Sequence, residues 1–193
     1  MENVIVISSS SSAADTLSSF LKESFQFKVT IAESARQARG IISGCRSFEL
    51  VIINSPLADE AGIELAEYVG EVTAASCIVL VKNENYDKIS PRADKSDIIL
   101  VAKPFSKQLL YQVVKAVNSA IKRSYMLYKE TVRLERKIDE IKLIDKAKFS
   151  LMQYRNMTEE EAHSYLEQYA MKNRKKKTIA ASEIIDKINE QYL

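Results

Sequence analysis

Short apolar runs alternate with amphipathic stretches through the first 120 residues. Val4–Ile7, Leu50–Ile53, Cys77–Val81 and Ile98–Val101 are continuous apolar blocks, and Phe27–Ile31 alternates. Each block is bounded by turn formers, as strands are. Between them lie helical patterns. Ala13–Phe25 places Leu17, Phe20, Leu21 and Ser24 on one face. Ser34 can cap Ala35–Ile42, with Gly44 at its end, and Gly62–Val69 reads as a short helix. Ser106 can cap a helix that begins at Lys107. Strands apolar throughout their length, separated by helices, imply a parallel sheet covered on both faces. The order predicts five strands and about five helices, one of which rests on the weak segment 84–94.

From Lys107 to about Tyr154 there is neither proline nor glycine, so the pattern predicts one long helix, or two in line. Leu127, Thr131, Leu134, Ile138 and Ile141 step by 4, 3, 4 and 3 and form a heptad seam between charged flanks. A helix this polar buries little alone, so a parallel homodimeric coiled coil is favoured over packing within the chain. Leu143, Ile144, Ala147, Leu151 and Met152 then open a new face. Asn156-Met157 marks a turn. Thr158 and Glu161 fit a capping box, and the helix behind them aligns Ala162, Tyr165, Leu166, Tyr169 and Ala170. The stretch Asn173–Lys177 breaks that helix. A last one starts at Thr178 or Ser182, with Ile179, Ala180, Ile184, Ile185 and Ile188 apolar. Three helices thus form a compact unit.

Charge sharpens this division. The 193-residue chain has a net charge of +2. Residues 1–120 carry 12 Lys+Arg and 14 Asp+Glu, and residues 121–193 carry 16 and 12. A basic second half suggests an anionic partner there. Cys45 and Cys77 stand far apart with no CxxC spacing, which argues against a disulfide framework and a zinc site. His163 is the single histidine. No nucleophile-base pair, metal cluster or glycine-rich phosphate loop emerges, so neither an enzyme nor a cofactor is expected. Ser8–Ser12 follows a strand but lacks the glycines and lysine of a phosphate loop; it reads as a helix cap. No apolar run nears the roughly 20 residues that span a bilayer, and the N-terminus lacks a signal-peptide pattern. A cytoplasmic protein is expected.

Lys103-Pro104-Phe105, just past the fifth apolar strand, gives residues 1–122 their clearest signature. With the strand order, it resembles the receiver domain of bacterial response regulators. That resemblance implies a flavodoxin-like α/β fold on a five-stranded parallel sheet. It also implies a cis Lys-Pro bond, and a lysine that pairs with a phosphorylated aspartate at the end of the third strand. The remainder of the site departs from the pattern. Asn54 stands where the phosphoacceptor belongs, and an amide cannot form an acyl phosphate. Ser8 and Ser9 stand in place of the acidic pair; hydroxyls are poor magnesium ligands beside carboxylates. Val81 takes the place of the switch hydroxyl. Asp59, in the loop, does not restore the geometry. The expectation is a pseudo-receiver in which only Lys103 remains.

Residues from about 134 to 188 resemble the ANTAR domain, an RNA-binding antitermination module. The matching stretches are Leu143-Ile144-Asp145-Lys146-Ala147-Lys148, Leu151-Met152 and Met157-Thr158-Glu159-Glu160-Glu161-Ala162. They continue through Leu166, Ala170-Met171, Arg174 and Ile179-Ala180. The family usually has glycine after the Ala-Lys pair, where this chain has Phe149. The resemblance implies a dimer that engages two tandem hairpins in a nascent transcript and prevents the competing terminator from forming. Candidate RNA contacts are Lys146, Lys148, Met152, Met171, Lys172, Arg174 and Lys175, on a helix and a loop expected to converge on one basic surface. Lys176 and Lys177 extend the basic run, and Tyr154 is a further stacking candidate.

The expected architecture is a receiver-like domain over 1–122, a coiled-coil helix over 123–142 and a three-helix all-α domain over 143–193. Two other readings compete with RNA antitermination. A DNA-binding regulator would need a base-reading helix, whereas the segment from Ala180 to Gln191 is short and net acidic. A dimeric adaptor, docking a protein partner on the pseudo-receiver, would bind no nucleic acid.

Overall fold

The computed structural model describes residues 3–45 and 47–192. The chain divides after Ser124 into two compact units. The first carries five parallel strands: β1 (Asn3–Ile7), β2 (Lys28–Ala32), β3 (Leu50–Asn54), β4 (Ser76–Lys82) and β5 (Ile99–Lys103). They lie in the order β2-β1-β3-β4-β5, the doubly wound arrangement expected of a flavodoxin-like fold. Helices α1 (Ser11–Phe25), α2 (Ala35–Gly44), α3 (Ile63–Val72) and α4 (Asn83–Lys95) connect them.

Alternation along the strands decides which helix covers which face. Ile5, Ile7, Val51, Ile53, Val79 and Val81 point into one cluster with residues of α2, α3 and α4. Val4, Val6, Leu50, Ile52, Ile78 and Leu80 point into the other, with Leu17, Phe20 and Leu21 of α1. Leu110, Val114 and Val117, from the start of α5 (Lys107–Arg155), complete that second cluster. Ser10 caps α1 and Ser34 caps α2, each accepting from the backbone N–H three residues on.

The weak segment is a helix. Tyr86 and Ile89 pack on the first cluster with buried Ala93, and α4 contains Pro91. Its polar sequence hid it, because one narrow stripe of three residues carries the contact.

α5 is a single helix from Lys107 to Arg155, the one long helix of the two readings offered by the sequence. In the second unit its last turns meet α6 (Glu159–Lys172) and α7 (Lys177–Tyr192). Ala147, Leu151, Ala162, Leu166, Ala181, Ile184, Ile185 and Ile188 form the core of this three-helix domain. Thr158 and Glu161 make both hydrogen bonds of the capping box at the start of α6. Ile179, though apolar, is 48% exposed. The buried stripe of α7 runs through Ala180, Ala181, Ile184, Ile185 and Ile188, and Ile179 lies about 170° from its centre on the helix. α7 also starts at Lys177, earlier than expected, so this lysine is helical.

No helix among the described residues is long and apolar enough to cross a membrane.

Candidate nucleic-acid interface and remnant phosphosite

The carboxyl ends of β1, β3 and β5 bring Ser8, Asn54 and Lys103 together. Asn54 donates from Nδ2 to Ser8 Oγ at 3.0 Å and accepts from Lys103 Nζ at 3.0 Å. Lys103 also donates to the carbonyl of Ser55. The Lys103-Pro104 bond is cis, as is Ser55-Pro56. Ser8 is fully buried; its hydroxyl donates to the Ser10 carbonyl at 3.0 Å. Ser9 turns elsewhere, accepting from the Ala58 N–H at 2.6 Å. Val81 packs in the apolar cluster under α2, α3 and α4.

The side chains hydrogen-bonded in this chain with Lys103, those of Asn54 and Ser8, are therefore neutral. Burial pushes its ammonium below the ordinary lysine range, and Lys82 adds to this. Three neutral groups offer few of the anionic oxygens that a hard divalent cation prefers. Asp59 takes a structural role in the same loop region. Its carboxylate accepts from Ala35 N at 3.0 Å and Arg36 N at 2.9 Å, tying the loop after β3 to the first turn of α2. Those two N–H groups hold it below the usual carboxylate range.

In the second unit, ion pairs sort the candidate cations into two classes. Lys148 is mostly covered and bridges Asp145 at 2.9 Å and Glu159 at 3.3 Å; hydrogen bonds to both carboxylates raise its pKa. Lys175 pairs with Glu183, and Lys177 with Glu167 at 2.5 Å. Lys146, Lys172, Arg174 and Lys176 are exposed and make no ion pair among the described residues. The sequence could not show this division, since Glu159, Glu183 and Glu167, the partners of Lys148, Lys175 and Lys177 on other elements, sit 8 to 11 residues away.

Position separates the candidates further. Lys148 reaches the amino end of α6 through Glu159, whereas Lys172, Arg174 and Lys175 lie at or beyond its carboxyl end. The 14 residues of α6 span about 21 Å, so Lys148 and Arg174 do not share one compact patch. Lys146 and Lys148 also diverge, by about 160° around α5. The single basic surface expected from the sequence is thus resolved into separate places. Arg174 holds a left-handed backbone (φ 53°) in the turn between α6 and α7. Met171 is 79% exposed and Met152 37%, while Tyr154 packs against the domain core. Phe149, which sequence reasoning treated only as a departure, is 64% exposed.

Residues 132–185 match the ANTAR domain family. This stretch is an ANTAR domain. The first unit has the receiver fold: it superposes on a response regulator receiver domain from Clostridium thermocellum with a TM-score of 0.58. That likeness comes at 21% identity and covers 66% of this chain and 99% of that one. A two-component response regulator from Clostridium difficile gives a TM-score of 0.56 at 20% identity, covering 62% and 97%. The transcriptional regulatory protein PdtaR of Mycobacterium tuberculosis is 25% identical over 126 residues, 65% of this chain. The alignment spans 62% of the length of that curated relative.

Along α5, Leu127, Leu134, Ile138 and Ile141 are 71%, 49%, 51% and 59% exposed. Thr131 is exposed with them, and its hydroxyl donates back to the Leu127 carbonyl at 3.1 Å. The seam that precedes and enters the ANTAR domain is therefore left open by the described residues of its own chain.

Proposed function

We propose that this chain is a non-enzymatic regulator of transcription antitermination, which binds hairpins in nascent RNA through its ANTAR domain. The ANTAR match over residues 132–185 carries the reading. Lys146, Lys172 and Arg174, which make no ion pair among the described residues, supply cations for a phosphate track, and exposed Met171 supplies apolar contact beside Lys172. A second copy of the chain covers Leu127, Thr131, Leu134, Ile138 and Ile141. Two RNA sites are then linked, and linked sites gain affinity through effective concentration. Holding two hairpins at once stabilises the antiterminator against the competing terminator. The receiver-like domain works without phosphorylation at Asn54, as a regulatory or partner-docking platform.

The test is binding of the full-length protein to a two-hairpin RNA and to duplex DNA of equal length, across salt concentration. RNA binding is expected to be the tighter and to fall with salt as phosphates are neutralised. Lys146→Ala/Arg174→Ala should weaken it. Equal and weak binding to both nucleic acids would sink the reading and favour the adaptor.

A further inference from the structure

We infer that Phe149 is a stacking platform for an unpaired base in a loop of the bound RNA, with Lys142 and Lys146 holding the adjoining phosphates. The inference rests on the RNA-binding reading above and adds a contact to it. Phe149 is 64% exposed in the middle of an ordered helix. The core of the domain lies on the opposite side of α5, through Ala147 and Leu151. A phenylalanine so placed, where the ANTAR resemblance leads one to expect glycine, contributes nothing to that core.

Its neighbours indicate what covers it. Lys142, Lys146, Phe149 and Gln153 step by 4, 3 and 4 residues, so they form one stripe along the helix. All four are exposed. Lys142 and Lys146 make no ion pair among the described residues, unlike Lys148 one face away. They stand about 10.5 Å and about 4.5 Å from Phe149 along the helix axis. An aromatic ring flanked by free cations is what splayed bases on a phosphate backbone require, because each base offers a π-face to stack and each phosphate a negative charge.

A second copy of the chain suits this stripe less well. Continued by 4, 3 and 4, the heptad seam passes from Ile141 to Asp145, Lys148 and Met152. Asp145 and Lys148 are charged and pair with each other within the chain, which interrupts the apolar seam before Phe149. Lys137 and Lys142 occupy flanking positions that meet across a parallel pair. Two cations there repel, so helix pairing weakens toward this end and leaves the stripe to a polyanion.

The experiment uses full-length protein and an RNA selected on the wild type from a pool of hairpins with randomised loops. A second preparation of the selected RNA carries 2-aminopurine in the loop. Phe149→Ala is expected to weaken binding about tenfold, the order measured for removal of one aromatic stack. Phe149→Trp should stay within about twofold, and neither should alter the salt slope, since no charge is removed. Stacking on the ring should quench the 2-aminopurine in the wild type and not in Phe149→Ala. Unchanged affinity in Phe149→Ala, with loss in Lys146→Ala/Arg174→Ala, would overturn the inference and leave RNA binding standing. A pool that yields no binder would overturn both. A lower sedimenting mass for Phe149→Ala without RNA would assign the ring to a second copy and overturn the stacking role.

Discussion

Lys103 donates from Nζ to Asn54 Oδ1 at 3.0 Å, so the cation at the end of β5 is held by a neutral amide at the end of β3. The amide completes the link by donating to Ser8 Oγ. One hydrogen-bonded chain thus spans β1, β3 and β5 without a carboxylate.

The wild-type protein should therefore take up no phosphoryl group from acetyl phosphate and magnesium, read as intact mass. Asn54→Asp restores the nucleophile but not the metal ligands, since Ser8 and Ser9 remain hydroxyls. It should gain little or no label. Lys103→Ala should leave RNA affinity unchanged. Strong labelling of the wild type would show that the neutral site still performs the chemistry.

Lys148 and Lys146 are separated by their partners. Lys148 already compensates Asp145 and Glu159, whereas Lys146 faces solvent. Lys146→Ala should reduce the slope of log affinity against log salt by about one unit, as loss of one phosphate contact does. Lys148→Ala should change that slope less and should lower the thermal midpoint, because two carboxylates lose their cation. A reversed order would place Lys148 in the interface.

Ile138 is half exposed in the middle of the seam. Full burial of such a side chain contributes about 1.5–3 kcal/mol; half is already covered, so a symmetric pair gains about that much, and a buried aspartate adds a desolvation cost. Ile138→Asp should raise the dimer dissociation constant by about a hundredfold or more, measured by sedimentation over a concentration series. Retained mass would mean that this seam does not hold the copies together. Its far-ultraviolet circular dichroism should change little, since α5 is helical within each chain.

Asp59 gives a pH signature. Its pKa is depressed by hydrogen bonds from the N–H groups of Arg36 and Ala35. A depressed folded-state value means stability that is present above the unfolded pKa, about 3.9, and lost as pH falls through the folded value. Asp59→Asn removes the charge and one anionic acceptor. It should lower Tm at pH 7 by on the order of a few degrees. The gap to wild type should narrow as pH drops below about 4. An equal gap at pH 7 and pH 3 would exclude the carboxylate as its source.

The sequence carried the elements that repeat a strong period. Four apolar blocks and one alternating segment announced five strands, and the run from Lys107 to Tyr154 without proline or glycine announced the long helix. Thr158 and Glu161 set the start of α6 through local hydrogen bonds that no distant residue alters. The same holds for Asn54, whose side chain is neutral wherever it lies.

Helix α4 was faint, because its contact with the sheet rests on Tyr86, Ile89 and Ala93 alone. Which apolar residues of α7 lie inward was not legible, because composition does not reveal the phase of a short helix until its neighbours select the inner face. The basic candidates were all equal in the sequence. Only the fold decided that Lys148, Lys175 and Lys177 meet Glu159, Glu183 and Glu167, while Lys146 and Arg174 do not. Local propensity and periodicity act over a turn or two of chain and can be read directly from it. Charge pairing and exposure depend on which distant segments pack together, and that is set by the burial of the whole core.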